Sequence, residues 1–454
     1  MQKLLELFKS NQVFKYGVAA ILLVIPLYPK FPLFNIPGIS VAVRVEDFLI
    51  AALAAFWLAY LIKDGIGEFF KSTLNKALLL FFGVGLLSLL GGIFITETVI
   101  AHVGFLHWIR RIEYLIPFFI ALMAMRRGAN VKFFGETLFI VSFVAFLYGI
   151  GQIYAGLPVI STQNAEYAKG FSLHWTPGAR LHSTFAGHYD LAAFLVMFFP
   201  IAIAFWFAMR NWWYRVFLFF VIISPAFWLL MRSESRISFI AYLVGVSVTL
   251  WLIRKKIFIL PFVVLSIVAM ATFSDLGAKY FNTVNIYKGR IINNNLINWS
   301  APVVLAQEST LAPVVVESPP PVIEDRSTSI RINAEWPRAI RSFSKNPVLG
   351  TGYSSITLAT DNDYLRALGE IGIVGSLAFL LVLVRLTDGF GRFLRKAQNL
   401  DINTAFVGGF VGSFIGILIN AMFIDVFEAS KVAIIFWTLA GIAVGLVAKS
   451  KVAK

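Results

Sequence analysis

The chain contains no cysteine, which excludes disulfides, a thiolate nucleophile and any cysteine-bearing metal site. Histidine is scarce as well. There are five in 454 residues, and no two stand at the HxH or HxxxH spacing that would put two imidazoles on one ion, so no metal and no other cofactor is expected. Charge is thin too: Asp, Glu, Lys and Arg make up 14% of the chain, against about 25% in soluble domains. What remains is 59% hydrophobic. The composition excludes a soluble enzyme and predicts an all-α, polytopic integral membrane protein.

Apolar runs of about 20 residues, the length that crosses a bilayer as a helix, recur along the chain. They fall at roughly 14–29, 45–62, 77–95, 106–125, 134–155, 189–208, 213–231, 236–253, 256–273, 364–386, 404–424 and 430–448, about twelve spans. The first follows Lys3, Lys9 and Lys15 without a small-residue cleavage site and reads as a retained helix. With the N-terminus placed in the cytoplasm, the inner segments hold just over half of the 39 basic residues. That bias favours both termini inside. It also accounts for most of the +15 net charge as topology signals, so no nucleic-acid partner is expected; the surroundings are membrane lipids.

The division that follows is a membrane domain at 1–273, a long external loop at 274–361, and a second membrane domain at 362–454. Within the loop, 299–329 is rich in Pro, Val, Ser and Ala, with SPPP at 318–321, and reads as a mobile flap. An amphipathic helix is predicted over 332–346. Trp336, Ile340 and Phe343 share one face, with Arg338, Arg341 and Lys345 around it, and Pro347 ends it. Such a helix lies on the membrane surface or simply caps the bundle. Gly350 and Gly352 predict a tight turn whose amides are open to an anion.

Charges gather at one expected depth, on the outer side. They are Arg180, His182, His188 and Asp190 at the sixth span; Arg232, Glu234 and Arg236 between the seventh and eighth; Arg110, Arg111 and Glu113 at the fourth; and Asp361, Asp363, Arg366 and Glu370 at the tenth. Charge in hydrocarbon is costly, so these groups must face one another, water or a ligand. Arginine suits bidentate phosphate recognition. Read as structure alone, Arg110, Arg111 and Glu113 are interhelical ion pairs, and His182 and His188 are hydrogen-bonded structural residues. Arg236, heading a helix after a very short turn, points more to function.

Three blocks carry a resemblance to a known family: ARLHSTFAGHYDLAAFL at 179–195, SESR at 233–236, and RINAEWPRAIRSFSKNPVLGTGYSS through DNDYLRALGEIGIVG at 331–375. Together they resemble the O-antigen ligase and polysaccharide polymerase (Wzy-like) superfamily of bacterial envelope glycosyltransferases. The resemblance implies a GT-C-like membrane fold. It implies transfer of a glycan from undecaprenyl diphosphate to a sugar hydroxyl on a glycan or lipid-glycan acceptor, inverting and metal-independent. The reaction would take place at the outer face of the bacterial cytoplasmic membrane. It implies Arg180, Arg236 and Arg338 on the diphosphate, and Arg331, Arg341 and Arg366 as further phosphate or glycan contacts. His182 and His188 belong to the same substrate-binding set, and Trp336 and Tyr353 would stack on sugar rings or anchor at the interface. The family's H-N-x-x-L box reads Asp361-Asn362-Asp363-Tyr364-Leu365 here, which makes Asp361 the candidate base or the group that orients the acceptor hydroxyl. Two other classes stay open on sequence: a flippase or transporter of lipid-linked glycans, and a non-catalytic membrane scaffold.

Overall fold

A computed structural model describes residues 12–29, 32–35, 42–64, 66–159, 173–273, 329–357 and 359–452. The mobile flap expected at 299–329 lies, but for Ser329, outside the described residues.

Twelve helical segments match the twelve expected spans. They are α1 (Gln12–Leu27), α2 (Val45–Asp64), α4 (Thr73–Phe94), α5 (Ala101–Arg126), α6 (Val131–Tyr154), α7 (His188–Ala208), α8 (Trp212–Ser233), α9 (Arg236–Leu252), α10 (Ile259–Phe273), α12 (Asp363–Leu386), α14 (Ile402–Asn420) and α15 (Ser430–Val452). Three short α-helices, α3 (Ile66–Lys71), α11 (Trp336–Lys345) and α13 (Phe390–Lys396), accompany them, with a 3-10 turn at Lys256–Phe258 and a π turn at Arg331–Glu335. Eight of the helical segments are long and apolar enough to cross a membrane. Three others, starting at Gln12, Arg236 and Lys256, are apolar but shorter. α5 has the length, but Arg110, Arg111 and Glu113 interrupt its apolar run. The protein is an all-α polytopic membrane protein, with one minor addition. Residues Pro32–Asn35 (β1) and Ala42–Arg44 (β2) pair as an antiparallel ribbon ahead of α2.

Local sequence sets many of the helix starts. Ser72, Asn130, Asn211, Ser235, Asn362 and Asp401 each accept a backbone N–H of the first turn, which satisfies donors that hydrocarbon cannot. The core forms where α7, α9, α14, α15 and α5 pack together, and α7 and α15 are almost wholly buried. Small residues allow the close approach that membrane helices need. A side chain at Gly412 would run into the Gly245 carbonyl and Thr249 of α9. Lys431, fully buried at the head of α15, donates to the carbonyls of Pro26, Tyr28 and Thr184 at 3.2, 2.9 and 2.7 Å. It thereby ties α1 and the 180s loop to α15.

α12 is broken. Gly372 sits at φ +65°, outside helical geometry, so the carbonyls just before it lose their helical partners. The turn after α11 fills the gap. Thr351 N donates to Gly369 O at 2.9 Å and Gly352 N to Glu370 O at 2.8 Å. Ser88 of α4 also donates to Glu370 O, at 2.7 Å. In return, Ile373 N and Val374 N bond to the carbonyls of Pro347 and Val348. This overturns the reading of the Gly350–Gly352 turn as an anion cradle: Gly350 N donates to Asn346 O within the turn, and the Thr351 and Gly352 amides are spent on the break in α12.

Candidate functional site

The site is assembled at one end of the bundle, where the 180s loop, the α8–α9 turn, the segment 331–345 and the 360s meet. Arg331–Glu335 is a π turn leading into α11. It directs Arg331 across to two other elements. Arg331 Nη2 donates to Tyr189 Oη on α7 at 3.2 Å. The same nitrogen and Nε reach Asp361 Oδ2 at 2.7 and 3.0 Å. Sequence reading did not single out Tyr189; an exposed-looking tyrosine at a helix start carries no signal for it.

From Tyr189 the contacts run back to the first block. The His188 and Tyr189 rings lie 4.0 Å apart, and Arg180 Nη1 lies 2.9 Å from His188 Nε2. A guanidinium only donates, so His188 Nε2 accepts and its proton sits on Nδ1. His182 lies 5.8 Å from His188 between ring centres, and its Nδ1 is buried without a hydrogen-bond partner among the described residues. Burial holds its pKa below the usual histidine value, against the pull of Asp190, so it is neutral at pH 7. The backbone ties this loop to the second block, with Leu181 N donating to Arg232 O at 3.0 Å. There Glu234 adopts φ +51°, Ser235 caps the helix, and Arg236 is the first residue of α9.

Asp361 itself has φ +48°, a left-handed conformation that Asp tolerates better than most residues. Burial raises its pKa even though Arg331 opposes the shift. Glu335, at the end of the π turn, is a group the sequence did not reveal. Burial, with the nearby charges of Asp361 and Asp425, pushes its carboxyl up to about 7 against Arg331 and Arg338. Its Oε2 is closed off from solvent and has no hydrogen-bond partner among the described residues.

The other arginines divide into two kinds. Arg366 is committed: Asp425 lies 3.1 Å from Nη1, and Glu370 and Glu428 each 3.5 Å from Nε. Arg111 pairs with Glu428, lies 4.0 Å from Glu370, and donates to Phe427 O. Arg110 pairs with Asp47 at 3.4 Å. Asp425 also accepts the amides of Thr360 and Asn362, and Asp363 accepts that of Phe427. This network fastens the α14–α15 loop to the start of α12. By contrast, neither Arg180 nor Arg338 has a carboxylate within 4 Å among the described residues, and Arg338 Nη1 is buried without a partner.

The remaining expected residues are scattered more widely. Arg341 is exposed on α11. Trp336 faces the protein, with its ring 6.0 Å from Phe423. Tyr353 is 3% exposed and packs on Gly85 of α4, with Arg111 over its ring at 5.7 Å. Ala339 of α11 is fully buried and its carbonyl lies close to Gly369, so α11 rests on α12, with Ile340 exposed. A small cavity of about 80 Å³ lies beside Arg111 and Arg366 among Phe81, Phe82, Phe379 and Trp437, away from the Arg331–Asp361 pair.

Comparison with known proteins covers the second and third blocks. No curated protein matches the chain. The family model described as O-antigen ligase matches residues 224–380, from α8 through the Arg331–Asp361 pair and the break in α12. Over this stretch the match supports the resemblance to the O-antigen ligase and Wzy-like superfamily.

Proposed function

We propose that this protein transfers a glycan from an undecaprenyl-diphosphate donor to an acceptor sugar hydroxyl at the outer face of the bacterial cytoplasmic membrane, with both termini cytoplasmic. The family match supports glycan transfer of the ligase or polymerase type. The observation that supports the finer reading is a run of contacts, Arg180–His188–Tyr189–Arg331–Asp361, which joins the first and third sequence blocks at one end of the bundle. Arg180 at its end and Arg338 have no carboxylate within 4 Å among the described residues, and a diphosphate would supply the missing charge.

In this reading Arg180, Arg236 and Arg338 hold the diphosphate. They neutralise the charge that builds as it leaves, so that inversion proceeds without a metal ion. Asp361, fixed by Arg331, orients the acceptor hydroxyl. Arg366 and Arg111 act as structural cations that hold the α14–α15 loop. A transporter would also use a broken helix, but the break in α12 is filled by protein donors, and the α12 charges before it lie toward the site end.

The test is donor cleavage by protein in nanodiscs, using undecaprenyl-diphosphate glycan extracted from the native host, with and without EDTA. Release of lipid diphosphate that survives EDTA and is lost in Arg180→Ala and Arg338→Ala supports the reading. Longer glycans on lipid mean a polymerase, and growth only with an added acceptor means a ligase. Binding of the donor without any cleavage would leave transport as the better account.

A further inference from the structure

The π turn Arg331–Glu335 turns two ionisable side chains toward the same spot. One of them, Arg331, is held by Asp361 and Tyr189 through Nε and Nη2. The other, Glu335, has a carboxylate oxygen that is shut away from solvent and bonded to nothing among the described residues. Such an orphan is costly in a folded protein and needs a reason. π turns of this kind are frequent at functional sites.

Asp361 is poorly arranged to take a proton. Its Oδ2 accepts two N–H groups of one guanidinium, which fixes the carboxylate in place. Glu335 carries no such clamp. The charges that face it are Asp361 from the segment before α12, Asp425 from the α14–α15 loop, and Arg331 and Arg338 from its own segment.

Resting on the glycan-transfer reading above, we propose that Glu335 is the general base that takes the proton of the acceptor hydroxyl, with the Arg331–Asp361 pair positioning that hydroxyl. The acceptor oxygen attacks the anomeric carbon and forms the new C–O bond. The bond from that carbon to the diphosphate oxygen breaks, and its electron pair leaves with the lipid diphosphate. The hydroxyl proton passes to the Glu335 carboxylate and then to water. A carboxyl held near 7 is close to the best value for a base working at neutral pH.

The experiment is a pH profile of kcat/KM between pH 5 and 9 with the host-extracted donor, for wild type, Glu335→Gln, Glu335→Asp and Asp361→Asn. Melting temperature and donor binding are measured on each. Wild type is expected to lose activity below about pH 7. Glu335→Gln should bind donor normally, fall ~10²–10⁴-fold in kcat/KM, and lose that acid limb. Asp361→Asn should fall in rate and keep the limb. A Glu335→Gln protein that retains the wild-type rate and limb overturns the proposal while leaving glycan transfer standing. Should Glu335→Gln fail to fold, Glu335→Asp decides: an unmoved limb at the wild-type rate is equally fatal. Wild type that binds donor and never cleaves it removes the transfer reading, and this proposal with it.

Discussion

Arg331 holds Asp361 by two nitrogens on a single oxygen, Nη2 at 2.7 Å and Nε at 3.0 Å from Oδ2. The pair closes the gap between a π turn and the residue before the cap of α12, and the same guanidinium reaches Tyr189 on α7. Three elements distant in sequence thus share one guanidinium.

That geometry makes Arg331→Lys a severe change despite the conserved charge. An ammonium cannot reproduce the fork. Hydrogen bonds to charged groups contribute ~1.5–3 kcal/mol each, so turnover should drop by about 10- to 100-fold. Asp361→Asn should cost a similar factor, and the double variant little more than either alone, because one interaction is lost in all three. Kinetics on the four proteins check this; fully additive losses would show that the two residues act independently.

The break in α12 predicts a stability defect. Gly372 has φ +65°, and a side chain there would meet the Val348 carbonyl. Gly372→Ala should lower stability by ~1–3 kcal/mol through left-handed strain alone, and by more through the clash. Ser88→Ala, which removes a donor to Glu370 O, should cost about 1 kcal/mol. Thermal unfolding in detergent measures both, and a Gly372→Ala protein as stable as wild type would mean that α12 can straighten.

Much of the fold can be read from the sequence, because apolar runs and polar caps are local signals. The helix starts at Arg236 and Asp363 sit where short polar turns predict them. The break at Gly372 cannot be read this way. Its apolar pattern continues through 364–386, and the missing donors come from Thr351, Gly352 and Ser88, outside that pattern. For the same reason the Gly350–Gly352 amides read as open when they are occupied. Arg366 reads as a ligand contact because its partners Asp425 and Glu428 come from a loop between two late helices. Glu335 reads as one more polar residue of an amphipathic helix, since spacing carries no record of which oxygen ends up buried.

Glu335 also gives stability a pH dependence. Its carboxyl is near 7 in the folded protein and 4.5 ordinarily, with burial as the main cause. Between those values the folded state binds the extra proton, so this group's contribution to stability falls as pH rises from about 4.5 to about 7. Glu335→Gln removes that slope. The variant should match wild type near pH 4.5 and melt higher than wild type at pH 8. Melting curves across the range test it; parallel curves for the two proteins would mean that Glu335 is solvated as an ordinary carboxylate.

Arg366 offers the sharpest separation of structure from chemistry. Three carboxylates, Asp425, Glu428 and Glu370, converge on it from two elements, and its Nη2 donates to Ile356 O. Removing one partner from a buried charge cluster costs ~3–5 kcal/mol, because like charges are left facing each other. Arg366→Ala should therefore lower melting temperature and expression sharply. Adding Asp425→Asn and Glu428→Gln should recover part of the loss by removing the stranded charge. Arg180→Ala, which strands no carboxylate, should fold normally and lose donor affinity. If Arg366→Ala instead kept its melting temperature and lost donor binding alone, this arginine would belong with the diphosphate ligands and the carboxylates around it would be exchangeable partners.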